Sequence, residues 1–101
     1  MSQEASIREA INKVEHPEIA MSLVSLGMVR DVEVDPQDDS VTLTLVVPFL
    51  GIPQAVMEYM ANSLTMAVSN AGGTMKKIDV AEMNDAERQA FFSAEEENWR
   101  Q

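Results

Sequence analysis

The sequence predicts an α+β fold: a single small domain with the element order α-β-β-α-β-α, whose three-stranded mixed sheet has helices packed on one face. Three observations support this prediction. Apolar residues recur at helical spacing in the segments expected to be helices, and they alternate with polar residues in the segments expected to be strands. The length of 101 residues suits one compact domain and leaves little room for a second.

The first helix is predicted from apolar residues spaced i, i+3, i+4 and i+7. These residues are Ile7, Ala10, Ile11 and Val14. Ser6 and Glu9 have the spacing of a capping box, and Ser2 is an equally good start. Pro17 disfavours helical geometry in the residue before it, so we expect the helix to end by about His16.

Two alternating segments predict an antiparallel hairpin. Residues 28–34, MVRDVEV, place Arg30, Val32 and Val34 on one face of the first strand. Residues 41–47, VTLTLVV, alternate in the same way, and the intervening proline, aspartates and serine are typical of a turn. We expect Arg30 either to lie at the edge of the sheet or to hold a carboxylate such as that of Glu18.

A second, longer helix is predicted after the hairpin. Its apolar face consists of Val56, Met57, Met60, Leu64, Ala67, Val68 and Ala71. Pro53 suits the first helical position, and Gly72 and Gly73 end the helix. A third strand follows within residues 76–83, and we expect its Ile78 and Val80 to join the core. Because the helix forms a crossover, the second and third strands should be parallel.

The last segment predicts an acidic helix capped by Asn84 or Asp85. Its aromatic residues are Phe91, Phe92 and Trp99. We therefore divide the chain into a domain at residues 1–83 and a C-terminal helix at residues 84–101, which either packs on the domain or is appended to it.

The charge of the chain argues against several kinds of partner. Seven Lys and Arg residues against seventeen Asp and Glu residues give a formal net charge of −10, which repels the phosphates of nucleic acid. No segment approaches the roughly 20 apolar residues that span a bilayer, and the start lacks an apolar signal core. We expect a cytoplasmic protein that binds neither nucleic acid nor membrane.

The candidates for catalysis or metal binding are few. The chain has no cysteine, and its one histidine, His16, lies near the carboxylates of Glu15 and Glu18. A metal site usually needs three or four converging ligands, and this segment does not offer them. We therefore expect no catalytic residue, no metal and no cofactor. An enzyme that uses His16, Glu18 and Arg30 is the third of three alternatives.

The segment at residues 14–35, VEHPEIAMSLVSLGMVRDVEVD, resembles a family of small domains that includes the PaaD and SufT proteins of iron–sulfur cluster assembly. Two groups of residues carry the resemblance: Pro17, Glu18 and Ile19 in a turn, and Leu26, Gly27, Met28 and Val29 at the start of a strand. The similarity covers about residues 7–83. The stretch AEMNDAERQAFF, with Met83, Asp85, Glu87 and Arg88, is similar to the end of the N-terminal domain of Mrp/ApbC-type ATPases.

One departure from that family concerns its reactive cysteine. The family often places this cysteine two residues after a loop proline, and the corresponding residue after Pro48 is Leu50. Val47 replaces the usual threonine and His16 the usual aspartate. Leu50 can neither bind iron nor form a disulfide.

The loop VPFLGIP, residues 47–53, has two interpretations. In the first, Phe49, Leu50 and Ile52 fold over the sheet edge and plug a pocket, which predicts a buried Leu50. In the second, Phe49 or Leu50 stays exposed and docks a partner, and the N–H groups of Gly51 and Ile52 at the helix start donate hydrogen bonds to a carboxylate of that partner. The predicted partner-binding residues are Phe49, Leu50, Gly51, Ile52, His16, Glu18 and Arg30.

The resemblance implies a non-enzymatic accessory or adaptor in iron–sulfur cluster assembly or transfer, acting through protein–protein contacts. Its partners would be proteins of cluster assembly or an Mrp-like ATPase. The alternative is a degenerate interaction or regulatory module that has left cluster biology. Association of the chain with itself is left open.

Overall fold

The computed structural model describes residues 3–98, so Ser2 and Trp99, which figure in the predictions above, lie outside the described residues. The elements follow the predicted order. They are α1 (Glu4–Asn12), β1 (Val29–Val34), β2 (Ser40–Val47), α2 (Gln54–Asn70), β3 (Thr74–Glu82) and α3 (Asp85–Asn98). The predicted α+β fold is confirmed. Among residues 3–98, no helix combines the length and the apolar character needed to cross a membrane.

The sheet has the strand order β1-β2-β3. As predicted, β1 pairs with β2 antiparallel and β2 pairs with β3 parallel. The central strand β2 supplies most of the sheet's contribution to the core, because it is flanked on both sides. The core combines Val41, Leu43, Leu45 and Val47 of β2, Ile7 and Ile11 of α1, and Met60, Leu64 and Val68 of α2.

A β-bulge in β1 overturns the predicted position of Arg30. Arg30 pairs with Thr44 and Glu33 with Thr42, so two residues of β1 stand opposite one residue of β2. Asp31, within the bulge, has a positive φ of 55°. The extra residue reverses the alternation, which puts Val32 against the core and Arg30 on the opposite face, beside Thr44. The prediction that Arg30 shares a face with Val32 is therefore wrong.

The starts of the first two helices also differ from the sequence predictions. Ser6 lies inside α1, and the N-cap is Gln3, which makes no side-chain capping bond. Instead, the backbone N–H of Gln3 donates to the carboxylate of Asp39 in the hairpin loop at 3.0 Å. Pro53 is the N-cap of α2 rather than its first helical residue. As predicted, α2 ends before Gly72, which has a positive φ of 95°.

The third strand only partly joins the core. Ile78 is half-buried and packs against the core, as predicted. Val80 stands opposite Leu45 but is 47% exposed, so its predicted burial is wrong. Of these two residues of the edge strand β3, Ile78 packs against the core cluster and Val80 does not.

The last helix is capped and contacts the rest of the chain. Asn84 and Glu87 form a reciprocal capping box, each accepting the other's backbone N–H at 2.8–2.9 Å. Phe91 is buried, and the carbonyl oxygen of Asn98 accepts the N–H of Ala20 at 2.8 Å. Both ends of α3 are therefore fixed, which positions the helix beside the candidate site.

Candidate functional site

A pocket of about 160 Å³ lies where the turn after α1, the loop between β2 and α2, and α3 meet. Its walls are mostly apolar. The lining residues are His16, Glu18, Met28, Pro48, Phe49, Ile52, Pro53, Val56, Met60, Phe91, Phe92 and Glu95. The pocket therefore brings together three segments that are far apart in the sequence.

His16 is a structural part of the pocket wall. Its ring is buried, and Nδ1 accepts the backbone N–H of Glu18 at 2.9 Å. The backbone N–H of His16 donates to the carbonyl oxygen of Met21, and the ring lies 6.3 Å from that of Phe91. Because Nδ1 acts as an acceptor, the neutral ring carries its proton on Nε2. The imidazole thus holds the turn in shape.

The loop between β2 and α2 exposes apolar side chains beside this pocket. Phe49 is 46% exposed and Leu50 is 62% exposed, whereas Ile52 is half-buried against the core. The interpretation in which Leu50 plugs the pocket predicted a buried leucine and is wrong. The exposed arrangement agrees with the second interpretation, in which this loop presents an apolar surface.

Arg88 fastens the loop from the side of α3. Its Nε donates to the carbonyl oxygen of Pro48 at 2.7 Å, and one terminal nitrogen donates to the carbonyl oxygen of Met83 at 2.9 Å. The other terminal nitrogen bonds the carboxylate of Asp85 at 2.9 Å. One guanidinium therefore joins the end of β2, the end of β3 and the first turn of α3.

A second contact fixes the loop at its apolar tip. The backbone N–H of Leu50 donates to the carboxylate of Glu82 at 3.3 Å. This bond holds the main chain of Leu50 while leaving its side chain in solvent. The side chain of Leu50 is therefore exposed on a loop whose main chain is held in place.

The predicted site residues divide into three groups. His16, Glu18, Phe49 and Ile52 line the pocket, and Leu50 and Gly51 lie on the adjoining loop. Arg30 stands apart, because its guanidinium pairs with Asp31 at 3.7 Å and with Glu87 at 3.8 Å. Arg30 thus lies on an edge strand and holds carboxylates, as expected, but these belong to Asp31 and Glu87 and not to Glu18.

The prediction that the N–H groups of Gly51 and Ile52 lie at the start of α2 is also wrong. The helix begins at Gln54, so the N–H groups of Gly51 and Ile52 precede its N-cap and are not its free N-terminal donors.

Sequence reasoning missed the walls of the pocket that come from α2 and α3. These are Val56, Met60, Phe91, Phe92 and Glu95. The adjacent pair Phe91 and Phe92 was the feature of the sequence that could have indicated this wall. In the structure one of the two rings is buried and the other is 42% exposed. Two successive aromatic residues on a short amphipathic helix cannot both face one core.

The charges around the pocket are negative. Glu18 and Glu95 contribute the carboxylates of its lining, and neither forms a salt bridge within residues 3–98. Among residues 3–98, no lysine or arginine belongs to the lining. Within the described part of the chain, no group of three His, Cys, Asp or Glu residues could hold a metal ion. The groups present can bind an apolar side chain and attract a positive charge.

Comparison with known protein families shows to which family the chain belongs. Residues 4–80, well over half of the chain, match the family described as iron–sulfur cluster assembly protein. The chain belongs to this family. The match contains Leu50 and the whole apolar loop, whereas α3 follows it. The family segment therefore supplies most of the pocket, and Phe91, Phe92 and Glu95 complete it from outside the matched residues.

A solved structure supports the fold of this family member. The domain of unknown function DUF59 from Bacillus anthracis is similar with a TM-score of 0.54 and 20% sequence identity, over 90% of each chain. At that identity the similarity shows the fold alone. No curated protein matches the chain.

Proposed function

We propose that this protein is a non-enzymatic adaptor in iron–sulfur cluster assembly or transfer, and that it binds a protein partner through the loop that carries Leu50. One observation carries the proposal. The resemblance to PaaD- and SufT-like proteins puts Leu50 at the position where these proteins often have a reactive cysteine, and its side chain is 62% exposed on an anchored loop. A leucine at such a place can dock a partner but cannot carry iron or sulfur.

The composition of the loop and pocket supports docking as the activity. Exposed Phe49 and Phe92 line an apolar pocket, and exposed Leu50 lies on the adjoining loop. Large apolar side chains exposed together are typical of interaction surfaces. Aromatic side chains are also enriched among the residues that dominate binding energy at interfaces. The family membership supports a partner from cluster assembly.

The finer assignment rests on the resemblance to PaaD, SufT and the N-terminal domain of Mrp/ApbC-type ATPases. It favours a cytoplasmic protein whose partner is a cluster-assembly factor or an Mrp-like ATPase. In such a complex, the partner would hold the cluster and this chain would contribute the docking surface.

The second candidate is an interaction or regulatory module that no longer serves cluster biology. The absence of cysteine from the whole chain favours it, because cluster and persulfide chemistry in proteins depends largely on thiolates. This candidate uses the same surface but a partner of another kind.

Complementation separates these candidates. In a strain of the source organism that lacks this protein, we would measure the activity of an iron–sulfur enzyme per amount of that enzyme, after restoring the wild type or a variant. Leu50→Glu tests the loop. Met66→Glu is the matched control, because Met66 is 63% exposed and lies on α2, outside the pocket lining.

The adaptor proposal predicts that wild type and Met66→Glu restore enzyme activity, whereas Leu50→Glu, expressed at the same level, does not. Full restoration by Leu50→Glu would overturn the role of the loop. Unchanged iron–sulfur enzyme activity in the deletion strain would favour the second candidate.

A further inference from the structure

We propose that the pocket binds one aliphatic or aromatic side chain of a short basic segment in the partner protein, with a lysine or arginine beside that apolar anchor. This inference rests on the proposed docking function. It goes further by naming the chemistry of the partner's segment.

The size of the pocket sets the size of the anchor. Its volume is about 160 Å³. An apolar protein cavity of roughly 150 Å³ accommodates a benzene molecule. The pocket therefore has room for one side chain such as leucine, isoleucine or phenylalanine, and not for a folded element.

The pocket floor suits such an anchor. Met28 and Met60 are buried, while Ile52 and Val56 are half-buried and pack against the core. Methionine adapts to the shape of an apolar neighbour because its side chain is flexible and polarizable. At the mouth, Phe49 and Phe92 leave 46% and 42% of their surface exposed, which provides apolar area for the anchor's neighbours.

The charge of the pocket selects the residues beside the anchor. Glu18 and Glu95 lie in the lining. Within residues 3–98, neither has a salt-bridge partner, and no lysine or arginine lines the pocket. A cation next to the anchor would find a carboxylate, whereas an acidic residue would be repelled. The formal net charge of −10 attracts a basic segment from a distance as well.

The same charge argues against a second copy of this chain as the occupant. Two copies would each carry a formal charge of −10 and would bring the carboxylates of Glu18 and Glu95 toward further acidic surface. Like charges placed opposite each other weaken association and reduce its rate. The complementary partner is a basic one.

Peptide titration followed by two-dimensional amide NMR tests the inference. The probe is the acetylated and amidated hexapeptide Ser-Arg-Leu-Phe-Arg-Ser. One control peptide replaces both arginines with glutamate, and a second replaces the Leu-Phe pair with serines. We expect the probe to shift the amide signals of Phe49, Ile52 and Phe92, and both controls to bind at least about tenfold more weakly.

Protein variants test whether Glu18 and Glu95 are the carboxylates that attract the basic probe. Glu18→Gln and Glu95→Gln are each expected to weaken binding of the probe about threefold, as partly exposed charge pairs do. Glu96→Gln is the matched control on the same helix, because Glu96 is exposed and outside the lining. Its affinity for the probe should equal that of the wild type.

Several results would overturn the inference: equal affinity for the glutamate peptide, amide shifts away from the pocket, no binding of the probe at millimolar concentration, or self-association that competes with the probe. These results leave the complementation test unaffected. If Leu50→Glu fails to restore enzyme activity and the basic peptide does not bind, the proposal that the loop docks a partner is retained. The proposal that the partner's segment is basic is then wrong.

Discussion

Arg88 Nε donates a hydrogen bond to the carbonyl oxygen of Pro48 at 2.7 Å, across 40 positions of sequence. The same guanidinium bonds the carbonyl oxygen of Met83, so it links α3 to both strand ends beside the pocket. The apolar loop that we propose as a docking surface is therefore held in place by a residue outside it.

Replacement of Arg88 by lysine is expected to lower the free energy of unfolding by about 1–3 kcal/mol. A lysine ammonium lacks the planar fork that reaches both carbonyl oxygens, which leaves at least one of these partly buried acceptors without its partner. Urea unfolding followed by circular dichroism measures the change. Lys13→Arg is the control, because the side chain of Lys13 is exposed and forms an exposed ion pair with Glu9. Equal stability of Arg88→Lys and wild type would show that the guanidinium does not fasten the loop.

The hydrogen bond from the Glu18 N–H to His16 Nδ1 predicts which substitutions of His16 the turn tolerates. Asparagine offers an oxygen at a similar place, so His16→Asn should retain most of the stability. His16→Leu leaves a partly buried N–H unsatisfied and should cost about 1–3 kcal/mol. Thermal unfolding of the two variants provides the comparison. If the asparagine variant were as unstable as the leucine variant, packing against Phe91 rather than the hydrogen bond would be the main role of the ring.

Gly73 occupies a site without room for a side chain. A Cβ there would lie 2.7 Å from Ile7 Cδ1, 2.9 Å from the carbonyl oxygen of Asp39 and 3.1 Å from Val68 Cγ1. Gly73→Ala is therefore expected to destabilise the protein by about 1–3 kcal/mol, as overpacking does. Gly51→Ala is the control, because a Cβ there meets no atom within 4 Å. Similar unfolding midpoints for the two variants would contradict the close approach of α1, the hairpin loop and α2.

The hairpin turn predicts one acid-side titration. The pKa of Asp38 is lowered from its usual value of 3.8, chiefly by hydrogen bonds from the side chain and backbone N–H of Ser40. A lowered pKa in the folded state stabilises the fold above the unfolded value, and this contribution is lost as the pH falls through the folded pKa. Ser40→Ala should raise the pKa of Asp38 toward 3.8. Carboxyl NMR titration measures it, and an unchanged pKa would exclude the hydroxyl as a cause.

The local sequence patterns predicted the elements because each pattern depends on a short segment. Ile7 and Ile11 at helical spacing, and Leu43 and Leu45 in alternation, are buried as expected. Arg30 was misplaced because a bulge shifts the alternation, and no residue type demands a bulge at that point. Val80 was misplaced because alternation predicts the face on which a side chain lies and not how much of that face the tertiary structure covers: Val80 stands opposite the buried Leu45 and is still exposed.

The candidate site was predicted only in part for a similar reason. The turn at His16 and the loop at Leu50 could be identified from the sequence, because the family resemblance and the unusual apolar loop mark them. The contribution of α3 depends on tertiary contacts such as those of Arg88 and Phe91. Without those contacts, Phe92 and Glu95 could not be assigned to the same pocket as His16.

The most direct measurement of the central claim is quantitative affinity capture from an extract of the source organism, with wild type, Leu50→Glu and Met66→Glu as baits in parallel. The account predicts that wild type and Met66→Glu recover the same cluster-assembly proteins or Mrp-like ATPase in equal amounts, and that the folded Leu50→Glu protein recovers at least about tenfold less. Equal recovery of these proteins by all three baits, or their absence from the wild-type sample, would contradict it.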